Sequence, residues 1–253
     1  MKNIFDTHAH YTDAAFDSNR KELLGSLENR GICGIINCGF DIASSHESLA
    51  LAKNYGYIYA ACGVHPEEIH KLAANWEQEL NSMLDLPECV AVGEIGLDYH
   101  WRSNDREEQK VIFEKQILLA NEKHLPVIVH DREAHEDTYE LLKKHKPQGV
   151  LHCFSGSAES AAQIIKDGMY IGLGGALTFK NARKAVEVAA AIPLERLLFE
   201  TDCPYMAPVP HRGERNDSSL IEFVAQKAAE IRGIDAQALL DITAENAHRL
   251  FLK

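Results

Sequence analysis

Six side chains of the kinds that hold metal ions stand where apolar runs of this sequence stop. His8 and His10 follow Ile4-Phe5-Asp6-Thr7, Glu94 follows Val90-Ala91-Val92-Gly93, and His130 follows Val127-Ile128-Val129. His152 follows Val150-Leu151, and Asp202 follows Leu197-Leu198-Phe199-Glu200-Thr201. Short β-branched runs read as strands, so six ligands stand at five strand ends. Parallel strands closed into a barrel open all their carboxyl ends onto one face, where residues distant in sequence converge. The arrangement predicts an α/β fold, a (β/α)8 TIM barrel of parallel strands, with one shared site at its C-terminal face.

The rest of the chain alternates in the same sense. Strands are predicted at residues 3–8, 32–38, 58–62, 90–94, 127–130, 150–152, 170–173 and 197–202. Between them lie amphipathic stretches with capping signals: Ser18 ahead of 21–29, Ser44 ahead of 47–54, and Asp105 ahead of 107–123. Further helices are expected at 133–145, 158–167, 182–190, 220–231 and 236–251, the last breaking near Thr243. A chain of 253 residues suits one such barrel, so residues 1–253 are read as a single domain. The segment 204–217, rich in Pro, Gly and charge, directly follows the eighth strand and is expected to overhang the site.

Composition removes several classes. No apolar stretch approaches the roughly 18 residues of a membrane span, and no basic-then-apolar leader opens the chain, which makes the cytoplasm the default expectation. The six cysteines form no C-x-x-C pair and sit in or beside apolar runs, as reduced buried thiols do. Cys153 and Cys203 directly follow candidate ligands, but strand alternation would turn them to the opposite face. A net charge of −12 disfavours extended groove binding to nucleic acid. Bound divalent ions can still hold a single phosphate or a strand end within an acidic protein.

Neutral imidazoles with carboxylates suit Zn²⁺, Mn²⁺ or Fe²⁺, and carboxylates with phosphate oxygens also accommodate Mg²⁺. A carboxylate such as Glu94 can bridge two ions roughly 3.5–4 Å apart, a pair that acidifies water and clamps the oxygens of a displacement. Asp202 would bind an ion or orient the water and accept its proton. The chemistry points to a metal-dependent hydrolase with catalytic Glu94 and Asp202.

Seven segments in order, DTHAHYTD (6–13), CGVHPEE (62–68), GEIGLDYHW (93–101), PVIVHDRE (126–133), LHCFSGS (151–157), ETDCPYMAPVPHRGERN (200–216) and ENAHRLF (245–251), resemble the TatD family of metal-dependent deoxyribonucleases. The resemblance spans the whole chain. It implies an amidohydrolase-type TIM barrel holding two or more divalent ions, Mg²⁺, Mn²⁺ or Zn²⁺, and hydrolysis of DNA phosphodiesters, commonly from a 3′ end. DNA ends or single-stranded DNA would be the substrate. By position it implies that His8, His10, Glu94, His130, His152 and Asp202 are metal ligands and that His65 contacts the substrate phosphate.

Asp98, Tyr99 and Arg132 follow ligand-bearing strands and could orient ligands or substrate, Asp98 from behind a ligand. Pro204, Tyr205, His211, Arg212 and Asn216 match the family signature; Arg212 offers a donor fork for phosphate and Tyr205 a ring for a base. The chain departs from the pattern at Asp217-Ser218, where a proline is expected after the acidic or polar residue, which predicts a different hold on that loop. Two alternatives stand beside the nuclease: the same site cleaving another ester, amide or small phosphoester, such as a misacylated tRNA, and a scaffold with structural metals.

Overall fold

The computed structural model describes residues 1–252. Eight strands form one sheet in sequence order, every pair parallel: β1 Ile4–Ala9, β2 Ile32–Cys38, β3 Ile58–Cys62, β4 Cys89–Asp98, β5 Val127–Arg132, β6 Gly149–Leu151, β7 Tyr170–Leu173 and β8 Leu197–Phe199. Just beyond β8 the chain returns to β1 through a parallel bridge between Ala9 and Cys203, where His10 N donates to Cys203 O at 2.9 Å. The sheet thereby closes, as the parallel reading requires.

Alternation along the strands builds two apolar layers. One contains residues from all eight strands, among them Phe5, Ile36, Ala61, Ala91, Ile128, Val150, Tyr170 and Leu198, and fills the barrel together with Ala244, Ala247, Leu250 and Phe251 of the last helix. The other sets Ile35, Val127, Val129, Ile171 and Leu197 against the helices through Leu24, Leu80, Phe113, Ile164 and Val224. Each fully buried aliphatic side chain contributes about 1.5–3 kcal/mol over its exposed state.

Nine helices accompany the strands among the described residues: α1 Arg20–Leu27, α2 Ile42–Asn54, α3 Trp76–Leu84, α4 Arg106–Lys123, α5 His135–His145, α6 Ala158–Lys166, α7 Arg183–Ala191, α8 Ile221–Arg232 and α9 Ala236–Phe251. Four depart from expectation. α1 is preceded by Asn19 rather than capped by Ser18, with no side-chain cap bond, and ends at Leu27. α2 starts five residues early because Asp41, not Ser44, is its cap: Asp41 Oδ1 accepts from Ser44 N at 2.7 Å, and Ser44 answers by accepting from Asp41 N. α3 was not expected, yet its buried Trp76, Leu80, Met83 and Leu84 carry the helical i, i+4, i+7, i+8 spacing. α9 runs unbroken through Thr243, whose hydroxyl donates to Leu240 O at 3.1 Å inside the helix and so leaves no unpaired polar group to break it. No helix among the described residues is long and apolar enough to cross a membrane.

Candidate metal centre

The six predicted ligands come together, although none is the last residue of its strand: His8 and His10 flank Ala9, the end of β1. β4 continues four residues past Glu94 and β5 two past His130, while β6 stops one residue before His152 and β8 three before Asp202. The convergence survives because the barrel places these positions around one mouth. Apolar runs mark where packing demands hydrophobic side chains, and backbone pairing can outlast them.

Glu94 is the hub. Its Oε2 lies 3.3 Å from His8 Nε2 and 3.5 Å from His10 Nε2, whereas its Oε1 lies 2.7 Å from His152 Nε2 and 3.0 Å from His130 Nδ1. Asp202 Oδ1 completes the first group at 3.6 Å from both His8 and His10. His65 Nε2 approaches the second at 3.6 Å from Glu94 Oε1. One buried carboxylate thus faces two sets of nitrogens, one with each oxygen.

The donor set fits divalent cations. His8 Nε2 and His10 Nε2 point at each other at 2.9 Å, and the Nδ1–H of His10 can donate to Cys38 O at 3.0 Å, which leaves its Nε2 lone pair aimed into the cluster. Nitrogen lone pairs aimed together beside carboxylates are what a cation organises. His130 is held in the same manner, with Nε2 at 3.0 Å from Asp98 Oδ2 and Nδ1 turned inward. Asp98 is itself buried and accepts from His100 N and Trp101 N through Oδ1.

Charge follows this geometry. Burial opposes ionisation of Glu94, but the histidines 152, 8 and 65 and a hydrogen bond with His10 outweigh it and hold the carboxyl well below its usual range. Burial likewise opposes charge on His10, yet Asp202 and Glu94 raise its value to about 10; Asp98 and Glu94 do the same for His130, also to about 10. His8 and His65 fall to about 4 and about 3, first through burial and then through the charge of neighbouring imidazoles.

Behind the cluster, Asp6 ties β1 to the chain after β8. Its carboxylate accepts from Thr201 Oγ1 at 2.6 Å, Ser218 Oγ at 2.7 Å and Thr201 N at 3.0 Å, and burial raises it to about 6 in spite of them. The departure at Asp217-Ser218 acquires its reason here, because Ser218 N donates to Tyr11 OH at 2.8 Å and proline would have no such donor. Asn216 binds the ends of the overhanging loop together, donating to Thr201 O at 3.0 Å and Tyr205 O at 2.7 Å.

Sequence reasoning missed Asp6, Glu200 and Phe40. Glu200 is buried, accepts from Cys153 N, and is raised to about 7 chiefly by burial. Cys153 lies beyond strand alternation: β6 ends at Leu151, Cys153 adopts φ 43°, and its Sγ forms a potential ligand group with His152 and Glu200 instead of facing away. Desolvation and the Glu200 carboxylate push that thiol well above its ordinary value, which disfavours the thiolate a metal would need. Phe40 stands against His10, ring centroids 6.3 Å apart.

The expected substrate contacts divide. His65 and Tyr205 line one cleft of about 230 Å³ with His10, Glu94, Phe40, Asp13, Glu67 and Glu68, and Tyr205 OH donates to Asp13 at 2.9 Å. Arg132 is exposed with its guanidinium over the Trp101 ring, and Arg212 lies over Phe179 at 3.6 Å from the ring centroid. Tyr99 turns away, bonding Asp137 on α5 at 2.5 Å, and His211 pairs with Glu214 at 2.8 Å.

The family model described as TatD related DNase matches residues 5–252. The chain is 40% identical over 254 residues to the metal-dependent hydrolase YabD of Bacillus subtilis, with 98% of each covered. It is 33% identical to the 3'-5' ssDNA/RNA exonuclease TatD of Erwinia tasmaniensis, covering 98% of this chain and 99% of that one. The crystal structure of YJJV, a TatD homologue from Escherichia coli, superposes with a TM-score of 0.93 at 33% identity, with 98% of both chains covered. The chain, a barrel with these histidines and carboxylates at one mouth and matched from end to end, belongs to the TatD family of metal-dependent hydrolases.

Proposed function

We propose that the protein is a 3′–5′ exonuclease of single-stranded nucleic acid that works at a two-ion centre. The observation that carries this is Glu94, each of whose two oxygens faces its own pair of imidazole nitrogens. His8, His10, Glu94 and Asp202 would hold one divalent ion, and Glu94, His130 and His152 the second, with Mg²⁺, Mn²⁺ and Zn²⁺ all compatible with the donors. Such ions supply charge neutralisation for a phosphodiester and a water acidified toward neutral pH.

The protein's own groups do the rest. Asp202, ionised and partly exposed beside His8 and His10, orients the attacking water and accepts its proton at Oδ1. His65, kept neutral by burial, donates a hydrogen bond to a phosphate oxygen from the cleft wall. Tyr205 offers a ring to the terminal base, and Arg132 and Arg212 offer donor forks to flanking phosphates. Asp13, Glu67 and Glu68 on the cleft wall repel a polyanion everywhere except at the ions, which favours a threaded end over a bound duplex. The names of relatives such as the Erwinia enzyme favour nucleic acid over other esters.

The test is digestion of end-labelled single strands by chelated protein restored with each ion, with Asp202→Asn as control. Stepwise shortening from the 3′ end, absent in the variant, supports the proposal; intact strands with every ion refute it.

A further inference from the structure

The tips of β4 and β5 carry an aromatic–guanidinium pair onto the face that holds the candidate ligands. β4 and β5 pair Asp98 with Arg132, Tyr99 N donates to Arg132 O at 2.9 Å, and Trp101 follows in the next turn. Arg132 Cζ stands 5.6 Å from the centre of the Trp101 ring. Trp101 is 62% exposed, whereas the other tryptophan, Trp76, is 6% exposed in the core. Arg132 forms no ion pair among the described residues, so its charge stays free in a protein of net charge −12.

The pair is also wired to the candidate centre. Trp101 N donates to Asp98 Oδ1 at 2.8 Å, and Asp98 Oδ2 stands 3.0 Å from His130 Nε2. One carboxylate therefore sets both the ring that would hold the second ion and the backbone that presents the indole.

We propose that Trp101 is a base-stacking platform for single-stranded nucleic acid and that Arg132 takes the phosphate beside the stacked base. This rests on the nuclease proposal and adds to it the path of the strand, which leaves the centre over the tips of β4 and β5. Unpaired bases offer open faces to such a ring, whereas paired bases inside a duplex do not. The platform thus selects single strands without reading sequence.

Because the chain holds two tryptophans, Trp76→Phe leaves Trp101 as the sole indole reporter. The probe is a short phosphorothioate oligothymidylate added to Mg²⁺-loaded protein, followed by Trp101 emission and by anisotropy of a labelled strand. Saturable quenching with the midpoint of the anisotropy curve is expected. Trp101→Ala should weaken strand binding roughly tenfold, with Trp101→Phe restoring most of it. Hydrolysis of thymidine 5′-p-nitrophenyl phosphate, which carries no neighbouring base to stack, should fall far less than strand binding in Trp101→Ala. Strand binding without quenching, or Trp101→Ala losing the small substrate equally, overturns the platform while leaving the nuclease proposal standing. Neither binding nor cleavage of any strand by the unaltered protein overturns both.

Discussion

Asp98 Oδ2 stands 3.0 Å from His130 Nε2, so His130 presents Nδ1 to Glu94 and His152. The carboxylate fixes which nitrogen is free, and a ligand whose tautomer wanders binds an ion poorly. Asp98→Asn retains the size but not the charge behind the ring. It should lower ion affinity roughly 10- to 100-fold, measured by activity against free ion concentration, with turnover recovering at saturating ion. Unchanged ion dependence would show that His130 does not need this partner.

Glu94→Gln removes the charge that both nitrogen sets share. Activity should fall by roughly 100- to 1000-fold or more, and both ions should be lost together in the ion content of the dialysed protein. Loss of one ion with the other retained would mean that the sets are independent.

The pH response of stability should differ between ion-free and ion-loaded protein. His10 and His130 bind protons more tightly when folded, up to about 10 against an ordinary 6.5, because carboxylate hydrogen bonds outweigh burial. Their contribution is whole below about pH 6.5 and is lost as pH climbs through about 10. The Tm of chelated protein should therefore decline over that range. Ion-loaded protein, whose ligands must already be neutral, should lack this decline. Equal slopes in thermal scans of the two forms would exclude the proton–ion exchange.

Gly96 tests the backbone under the centre. It adopts φ 148°, and an added Cβ would lie 1.9 Å from His130 O. Gly96→Ala should cost about 2 kcal/mol or more in denaturant unfolding, because the conformation and the space both exclude a side chain. A change below about 0.5 kcal/mol would mean that β4 and β5 yield easily there.

The barrel and the convergence of the six candidate ligands were legible because apolar runs and ligand types recur in register with the strands. His65 was legible only through resemblance, since a histidine before proline carries no packing signal of its own. Asp6 and Glu200 were not legible: both lie inside apolar runs, and their partners, Thr201 with Ser218 and Cys153, are distant in sequence. Arg132 illustrates a further limit, because its partner Trp101 is chosen by strand register and loop path rather than by any local pattern. The capping of α2 failed for a narrower reason, since two residues three apart can each cap and only the backbone decides which one does.

The most direct test of the two-ion centre is anomalous scattering from crystals soaked in Mn²⁺. Two peaks are predicted, one among His8, His10 and Asp202 and one between His130 and His152, with a Glu94 oxygen reaching each. A single peak, or one seated instead among His152, Cys153 and Glu200, would contradict it.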